Sequence, residues 1–524
     1  MDWNSFKQHK FLTFITACFV GWIIFLLILG LTNTRIVIFY DVLSQTDVSS
    51  NYSSTIPLLR YFLEPIVGTT FIFRYLVDSI LIIFVGYVAI RVIYVVFQKK
   101  NMIKSEKFKL FIIIAKNYLT FAFTVYFLIL IGIISVLLIG FFMEGFVFLN
   151  NNWMLSVQIG LTIGLILILL KLAFIIIKLV HPRLRLSYKV QKPPQSSIKK
   201  FFFLSGTELK YLLCFFLIFA TFAVLLIATP FPTQKIEADR DNDEFLFDFH
   251  VHTYFSDGFL SPEERVDWYI AQGIDGAVFT DHENQRGYQR ALDYVTKKGV
   301  NFTVLMGEEY TCHAIDIHLN YFGLNETIIP IEYAEPYGPL ALNVSDMIQY
   351  VKSKGGWVTV NHYSDTPGTP YTYVQLRDWG VDGFEVINDG IEFPTAIREF
   401  CISNNLICLA GSDIHTNQEL HTFVKLRLND PSNKTLASIF ENLQRNDHET
   451  VLIQLYPEKV PVINFLGITG FIGNVLNYFL NLDFFQILSW IIWSCLGFIF
   501  LMICYKVIKK ANLKRLRVKI LEEL

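Results

Sequence analysis

Apolar residues along the chain form two kinds of pattern, long unbroken runs and short runs bounded by polar residues. The long runs reach roughly 20 residues, the length that a helix needs to cross the hydrocarbon core of a bilayer. Six of them predict α-helical transmembrane spans, at residues 11–31, 78–97, 118–142, 153–180, 212–230 and 484–507. Residues 231–459 contain no such run, so we expect a separate water-exposed domain to be inserted between the spans.

A seventh apolar stretch, residues 461–482, is broken by Gly467, Gly470 and Gly473. We interpret it as interfacial or packed against the helix bundle, because a seventh crossing would put the basic C-terminal tail on the outer side. The chain is therefore expected to have three regions. Residues 1–230 form a membrane region with about five transmembrane helices, residues 231–459 form the inserted domain, and residues 460–524 contain the interfacial segment, the final span and the tail.

Within the inserted domain, short apolar runs alternate with stretches of helical periodicity. The runs predict strands at residues 274–279, 302–306, 357–360, 384–387 and 407–410. The helix-like stretches between them lie at residues 262–272, 285–298, 344–354 and 393–404. Strands that alternate with helices are typical of α/β folds with parallel strands. Since polar residues follow the strand ends, the pattern predicts a βα barrel with its active site on that face.

Composition supports the division into membrane and water-exposed regions. Hydrophobic residues make up 53% of the chain and charged residues 17%, whereas a soluble protein carries about 25% charged residues. A wholly soluble protein is therefore excluded. The net charge of −2 conceals an imbalance, because residues 231–459 hold 35 of the 46 acidic residues and 16 of the 44 basic ones. The inserted domain is thus strongly acidic, with a balance of −19, and the remainder is basic.

Basic residues predict the orientation of the spans, because short loops rich in Lys and Arg stay in the cytoplasm. They are frequent in residues 98–109, 181–210 and 509–519 and rare in the alternate loops 32–70 and 143–152. We therefore expect a multi-pass protein with both termini cytoplasmic and the acidic domain extracytoplasmic or lumenal. The glycosylation sequons fall on that outer side and predict a glycoprotein; they begin at Asn51, Asn301, Asn325, Asn343 and Asn433.

Histidine is concentrated in the acidic domain, which holds nine of the eleven His residues. In residues 244–253, strand alternation places Asp248, His250 and His252 on one face and apolar residues on the other. Two imidazoles at positions i and i+2 converge on one ion, and His is a preferred ligand of zinc and similar metals. The alternative is that the His-x-His occurs by chance on an exposed strand, so this motif alone does not establish metal binding.

Further ligand-type residues follow the predicted strands, where a structural core would carry Val or Ile. They are Asp257, Asp281, His282, Glu308, Glu309, His318, His362, Glu385, Asp413 and His415. Six strand ends that each carry a His, Asp or Glu indicate a metal centre much more strongly than one His-x-His does.

In this order, His-x-His-x4-Asp-Gly, Thr-Asp-His, Gly-x-Glu, a mid-domain His, Asn-His and Gly-Ser-Asp-x-His resemble the motifs of the PHP (polymerase and histidinol phosphatase) family of metal-dependent hydrolases. The resemblance covers residues 244–455 and none of the spans. It implies a distorted seven-stranded (β/α) barrel, here inserted between transmembrane spans. It also implies a cluster of two or three divalent metal ions, zinc, manganese or iron.

The resemblance implies which residues bind each ion. The first ion would be held by His250, His252, Glu309 and Asp413. Glu309 would bridge to a second ion, which is also held by His318 and His362. The third would be held by Asp257, His282 and His415. Many family members have His at the position of Asp257, so the occupancy of the third position stays open.

For several of the site residues, a neighbouring residue or another role is also possible. Gly-x-Glu selects Glu309 over Glu308, and His318 fits the mid-domain motif better than His313. Asp281 and Glu385 are expected to orient ligating His residues, although Glu385 would also suit an exposed surface. His421 and His448 fall outside every motif and are interpreted as ordinary surface or core residues.

The metal cluster predicts hydrolysis of a phosphate ester by metal-activated water. Asp257 or His282 would protonate the leaving group, a role that competes with metal ligation. Because the domain is acidic and has no Lys/Arg run, we expect a small phosphate ester or a phospholipid headgroup rather than long nucleic acid. Arg286 and Arg290 are candidate phosphate contacts or solvated surface residues. Two alternatives are a metal-dependent amide, carbamate or ester hydrolase and a metal-binding sensory module.

Overall fold

The structure is a computed structural model that describes residues 10–73, 76–99, 106–180, 196–231, 234–336, 338–363, 366–417, 419–462 and 468–510. Most of the basic residues that predict the orientation, including the tail from residue 511, lie outside these ranges. The helices are α1 (Lys10–Thr32), α2 (Leu58–Phe73), α3 (Leu76–Lys99), α4 (Glu106–Glu144), α5 (Phe146–Val180), α6 (Ser197–Ile227), α7 (Pro262–Gln272), α8 (Arg286–Lys298), α9 (Val344–Ser353), α10 (Tyr373–Trp379), α11 (Thr395–Ser403), α12 (Leu436–Leu443), α13 (Ile468–Asn481) and α14 (Phe484–Lys510).

The strands are β1 (Ile38–Asp41), β2 (Thr46–Asp47), β3 (Tyr52–Thr55), β4 (Lys235–Ala238), β5 (Glu244–Val251), β6 (Gly276–Phe279), β7 (Thr303–Cys312), β8 (Ile317–Phe322), β9 (Ile328–Pro330), β10 (Leu340–Leu342), β11 (Trp357–Val360), β12 (Gly383–Asn388), β13 (Ile391–Glu392), β14 (Ile407–Gly411), β15 (Thr422–Arg427) and β16 (Glu449–Gln454). Strands and helices alternate through most of residues 244–454. The predicted α/β class is therefore confirmed.

Among the described residues, five helices are long and apolar enough to cross a membrane. They contain the stretches Thr13–Thr32, Ile112–Glu144, Phe146–Lys178, Ser197–Ile227 and Phe484–Ile503. These stretches coincide with five of the six predicted spans. The sixth prediction, residues 78–97, lies in α3, where the shorter apolar stretch Phe84–Val96 is described.

The segment predicted to be interfacial or packed against the bundle forms α13. At about 1.5 Å per residue its 14 residues extend about 21 Å, which is less than the roughly 30 Å of the hydrocarbon core. Its Tyr478 and Phe479 are buried together with Leu26 of α1 and Ile487 of α14. This helix therefore packs against the bundle.

Within the described residues, twelve strands form one sheet, in which β5, β6 and β7 run parallel and β11, β12 and β14 run parallel. The predicted (β/α)7 barrel is not confirmed, because β8 runs antiparallel to both β7 and β11. The physical reason is the length of the connection. Only four residues, 313–316, separate β7 from β8, and a parallel crossover needs a dozen or more.

The sheet includes a strand from outside the predicted domain range. β1 follows the first long apolar helix and pairs antiparallel with β16, so that Ile38 faces Gln454. Nearby, β3 pairs with β4. Phe39 and Tyr52 are buried in the same apolar cluster as Phe423. The segment between the first two helices thus contributes both hydrogen bonds and core residues to the domain.

Candidate metal centre

The predicted ligands lie along one edge of the sheet. His250 and His252 stand at the end of β5, His282 follows β6, and His362 follows β11. Glu309 lies within β7, which is longer than predicted. Since β8 runs antiparallel to β7, its first residues lie at the same edge, and His318 faces Thr311 across the pair. All nine predicted ligands therefore meet, in three groups whose ligand atoms lie within 4.8 Å of one another.

The first group consists of His250, His252, Glu309 and Asp413, as the family resemblance implies. The two Nε2 atoms lie 3.0 Å apart, and Glu309 Oε2 lies 3.1 Å from each. Asp413 Oδ1 lies 3.3 Å from His250 Nε2 and 3.0 Å from His252 Nε2. Ligand atoms around a tetrahedral ion lie about 3.3 Å apart, given metal–ligand distances of about 2.0–2.1 Å. The four donor atoms therefore fit one divalent ion.

The second group is reached through the other oxygen of Glu309. Oε1 lies 3.0 Å from His318 Nδ1 and 3.6 Å from His362 Nε2. The side-chain amide of Asn361 donates to the same oxygen at 2.9 Å. Because its two oxygens face different groups, Glu309 has the geometry of a bridging carboxylate.

The third group contains the predicted Asp257, His282 and His415, and the structure adds His252. His415 Nε2 lies 3.2 Å from Asp257 Oδ1, and His282 Nε2 lies 3.5 Å from Asp257 Oδ2. Among the described residues, the buried Oδ1 of Asp257 forms no hydrogen bond of acceptable geometry. A buried, unsatisfied carboxylate oxygen is destabilising, and a bound cation would satisfy it.

Sequence comparison agrees with this geometry. Residues 248–366 match the family model of the PHP domain. This segment is a PHP domain. It holds seven of the nine predicted ligands, and Asp413 and His415 follow it in the sequence. No sequence among the curated proteins matches the chain.

Solved structures show related proteins at low similarity. A two-domain protein from Bacteroides vulgatus with a predicted PHP-like metal-dependent phosphoesterase is 21% identical over 40% of this chain and 64% of its own, with a TM-score of 0.33. A proposed metal-dependent phosphoesterase from Bifidobacterium adolescentis is 18% identical over 33% of this chain and 88% of its own, with a TM-score of 0.27. An amidohydrolase from Chromobacterium violaceum is 16% identical over 32% and 87%, with a TM-score of 0.25. The chain thus spans 64% of the length of the Bacteroides protein, and similarities this low do not decide its activity.

Around the three groups, a second layer of polar residues holds the candidate ligands in place. His250 Nδ1 lies 2.8 Å from Glu385 Oε1, so the ring donates to the carboxylate and directs the lone pair of Nε2 at the first group. Glu385 Oε2 accepts from the backbone of His362 and the amide of Asn388, both at 2.9 Å. Glu385 is buried, so the surface alternative is wrong, and it contacts the candidate ligand His250 as the prediction requires.

Asp281, the other predicted orienting residue, contacts no ligand ring directly. It accepts from the backbone and hydroxyl of Thr253, both at 2.7 Å, and from Ser256 Oγ at 2.8 Å. Ser256 Oγ in turn lies 3.3 Å from His252 Nδ1. Asp281 therefore acts on His252 through the serine.

Two residues near the ligands were not predicted from the sequence. Thr311 Oγ1 lies 2.7 Å from His282 Nδ1, and the Thr311 backbone donates to Glu283 Oε1 at 2.8 Å. Strand alternation from Glu309 could have indicated Thr311, which lies two positions further along β7. No local pattern distinguishes Glu283 from an ordinary surface acid.

Backbone strain coincides with the centre. Among the described non-glycine residues, His362, Asp413 and Glu283 are three of the few with positive φ, at 25°, 51° and 48°. Non-glycine residues in this region are strained and cluster at functional sites. Two of the three are predicted ligands and the third follows one directly.

The carboxylates and imidazoles of the centre shift one another's pKa values. Against burial, which would lower it, the neighbouring carboxylates raise the pKa of His250, His282 and His362 above its ordinary value. Burial would raise the pKa of Glu309, but His282 and His250 hold that pKa well below its ordinary value. The pKa of Asp413 is likewise held low, against burial, by His250 and His415. Burial lowers the pKa of His318. Metal ions bind ionised carboxylates and neutral imidazoles, so an ion held here would take the place of the protons that the carboxylates otherwise favour on His250, His282 and His362.

The residues considered as alternatives lie elsewhere among the described residues. Glu308 is buried on the opposite face of β7, where its Oε1 accepts from the Ile328 backbone at 3.2 Å. The rings of His313 and His318 are 6.0 Å apart, and His313 belongs to none of the three groups. Arg290 is half exposed and pairs with Glu263.

Proposed function

We propose that the protein is a membrane-anchored, metal-dependent phosphoesterase that hydrolyses a small phosphate ester or a phospholipid headgroup. The observation that carries this proposal is the sharing of Glu309 and His252 among three donor groups. A structural ion needs one closed ligand set. Adjoining sets instead place ions side by side, as in metal-dependent phosphatases. We propose two to three bound ions of zinc, manganese or iron.

Divalent ions bound there would lower the pKa of a water molecule and neutralise charge on a phosphoryl group. The residues that would hold them are His250, His252, Glu309 and Asp413 for the first ion, Glu309, His318 and His362 for the second, and His252, Asp257, His282 and His415 for the third. Glu385 and Asn361 keep His250 and Glu309 in the required orientation.

Asp257 or His282 would donate the proton that the leaving oxygen takes up. The side chain of Asp257 is 31% exposed, whereas those of His250, His252 and Glu309 are at most 1% exposed. The third group therefore lies on the accessible side of the centre, where a leaving group would meet it. Metal ligation competes with proton donation at both residues, so either of the two would donate the proton.

The proposal includes a closed seven-stranded barrel and a membrane orientation. A bridge between Val251 and Ile414 links the end of β5 to the residues after β14 and supports closure of the sheet. Five long apolar helices support membrane anchoring. With the predicted span at residues 78–97 as a sixth crossing, the distribution of basic residues would put both termini in the cytoplasm and the PHP domain outside it. All five sequon asparagines are exposed, as glycosylation requires.

The test measures bound metal and hydrolysis of p-nitrophenyl phosphate with the full chain in detergent, because β1 would be missing from a fragment. We expect two to three ions per chain, and loss of hydrolysis in a His250→Ala/His252→Ala variant. His313→Ala is the matched control and should keep both properties. Bound metal with cleavage of amides or carboxylic esters instead would favour the alternative hydrolase. A chain without metal would overturn the catalytic proposal and favour a sensory or binding role.

A further inference from the structure

The loops that carry the third metal group contact two long apolar helices at equivalent positions. The residue two positions after each of three candidate ligands is hydrogen-bonded to α5 or α6. The ligands are Asp257, His282 and His415, and the residues that follow them are Phe259, Asn284 and Asn417. Both helices contain stretches that are long and apolar enough to cross a membrane. These helices therefore hold three separate loops close to the ligands themselves.

Asn417 closes the C-terminal end of α6. Its backbone donates to the carbonyl of Ile227, the last residue of the helix, at 3.0 Å, and its side-chain amide donates to the carbonyl of Leu226 at 2.9 Å. The last carbonyls of an α-helix have no partner within the helix, and Asn417 supplies one to each of these two. Asn417 is buried. The loop after His415 is thus fixed to the helix end.

The loops of Asp257 and His415 are also joined to each other. The backbone of Phe259 donates to the His415 carbonyl at 2.5 Å, and the Phe259 carbonyl accepts from Gln158 Nε2 of α5 at 2.8 Å. From α7, the buried guanidinium of Arg265 donates to the carbonyls on either side of His415, at 2.8 and 3.2 Å. The loop of His415 is therefore held between the PHP domain and the two apolar helices.

The loop after His282 bonds to α5 as well. Asn284 Nδ2 donates to Asn151 Oδ1 of α5 at 2.9 Å, and Arg286 Nη2 donates to the Asn151 carbonyl at 3.0 Å. The guanidinium of Arg286 also lies 4.3 Å from the ring centroid of Phe255. Arg286 thus connects the loop with the helix.

The first two metal groups are held by residues of the sheet and its adjoining loops. Glu385 of β12 contacts His250 and the backbone of His362, and Asn361 donates to Glu309. The ligands of a site must stay within about 0.5 Å of their required positions. A shift of α5 or α6 would therefore displace the loops of the third group and leave these contacts in place.

We propose that Asn417 and Asn151 are positioning residues through which α6 and α5 raise the affinity of the third metal group. The first two groups would keep their affinity if these contacts were lost. This inference rests on the proposed function, because it takes the three groups to hold ions. Coupling between two binding events is reciprocal, so an ion in the third group would strengthen the attachment of both helices by the same factor. The two helices would thus regulate the metal centre.

Metal binding to the full chain in detergent tests the positioning role. Metal-depleted protein is titrated with Mn²⁺, and the binding step that Asp257→Ala abolishes is assigned to the third group. We expect Asn417→Ala and Asn151→Ala to weaken that step by about tenfold or more and to leave the other steps unchanged. Asn152→Ala is the control, because its amide donates within α5. Equal weakening of all steps, an unchanged third step, or a titration without that step would overturn the proposal.

An isosteric variant separates hydrogen bonding from packing. Asn417→Asp keeps the size of the side chain, but it removes the amide donor and puts a carboxylate beside the carbonyl end of α6, where negative charge is unfavourable. We expect it to weaken the third step at least as much as Asn417→Ala does. Normal binding of the third ion by Asn417→Asp would show that the hydrogen bonds of Asn417 do not position His415.

Hydrogen exchange measures the reciprocal effect without hydrolysis. Amide exchange is followed at the end of α6, in residues 224–231, with and without Mn²⁺. We expect the metal to slow exchange there in the original protein but not in Asp257→Ala. The same exchange with and without metal in the original protein would reject the coupling. A chain that binds all three ions and hydrolyses no phosphate ester would instead reject the proposed function and leave the positioning role standing.

Discussion

The Nδ1 atom of His250 lies 2.8 Å from the Oε1 atom of Glu385, although the two residues are 135 positions apart in the sequence. The pair connects β5 to β12, and Glu385 also holds the backbone of His362. One buried carboxylate therefore orients residues of the first and second metal groups. Substitution of Glu385 therefore tests how the two groups are oriented without removing any candidate ligand.

Replacing Glu385 with Ala should weaken metal binding by about 10- to 100-fold, the usual cost of losing a partner that orients a ligand. The physical reason is that the His250 ring loses both its fixed tautomer and its orientation. Competition with a chelator measures the affinity. Glu392→Ala, an exposed carboxylate on β13, is the control. An affinity equal to that of the unchanged protein would contradict the orienting role.

A substitution in the long apolar helix α5 should weaken metal binding at the third group. The amide of Asn150 donates to Glu283, which accepts from Thr311, and Thr311 contacts His282. Asn150→Ala should weaken binding of the ion held by His282 by about tenfold. Metal content after dialysis against a chelator measures the loss of that ion.

The matched control for this variant is Asn152→Ala, because the Asn152 amide donates to Phe148 within α5. The control should retain the metal content of the original protein. If both variants lost the same amount of metal, the effect would come from the helix itself and not from the contact with Glu283.

Arg60 of α2 should be essential for stability. The guanidinium is 2% exposed and pairs with Glu64 in the same helix and, at 2.8 Å, with Glu419 after β14. Arg60→Ala leaves two buried carboxylates without their cation, which costs about 3–5 kcal/mol. Thermal unfolding in detergent should show this loss. Arg445→Ala, which removes an exposed pair with Glu441, should change the free energy of unfolding by less than about 0.5 kcal/mol.

The buried ring of His448 predicts a dependence of stability on pH. Burial lowers the pKa of His448, and its Nε2 lies 2.9 Å from the Cys408 carbonyl. Below about pH 6.5, the ordinary pKa of the unfolded residue, the unfolded chain gains a proton that the folded chain resists. The contribution of His448 to the free energy of unfolding should therefore decrease as the pH falls through this range.

Unfolding midpoints measured across that pH range test the prediction for His448. The loss of stability at acidic pH should be smaller in His448→Gln than in the original protein. His421→Gln is the control and should keep the full dependence. A His448→Gln variant with an unchanged pH dependence would assign the effect to other groups.

The orientation of the chain can be tested through its sequons. If the PHP domain faces the lumen during synthesis in a eukaryotic host, Asn433 and Asn51 should be glycosylated, because both side chains are exposed. Removal of glycans by a glycosidase should then increase the gel mobility. Single Asn→Gln variants identify each site. The predicted topology would be wrong if Asn433 and Asn51 stayed unmodified while a sequon added at the N-terminus became glycosylated.

Much of the centre could be predicted from the sequence because its ligands obey local rules. His250 and His252 are separated by the period of a strand, and His282, His362 and Asp413 follow strands that local apolar runs reveal. The spans were predictable for the same reason, since an apolar run of sufficient length is a property of one continuous segment. The nine candidate ligands, assigned residue by residue from the resemblance of these motifs to the PHP family, all lie in the three groups.

Tertiary structure decided the relationships between segments that are far apart in the sequence. The sequence alone did not predict that β1 would pair with β16, that α5 would reach the loop after His282, or which of the histidines Glu385 would contact. The antiparallel course of β8, set by a four-residue connection, also departed from the expected alternation.

The physical reason is that local patterns and packing act over different distances. Periodicity and residue type determine which face of a strand carries a ligand and which segment is apolar enough to leave water. Which strand or helix then covers that face is decided by shape, burial and hydrogen bonding among elements that meet only in the folded chain. The sequence by itself therefore determined the candidate ligands and the long apolar segments, and the tertiary structure decided their partners and placed the three donor groups beside the apolar helices.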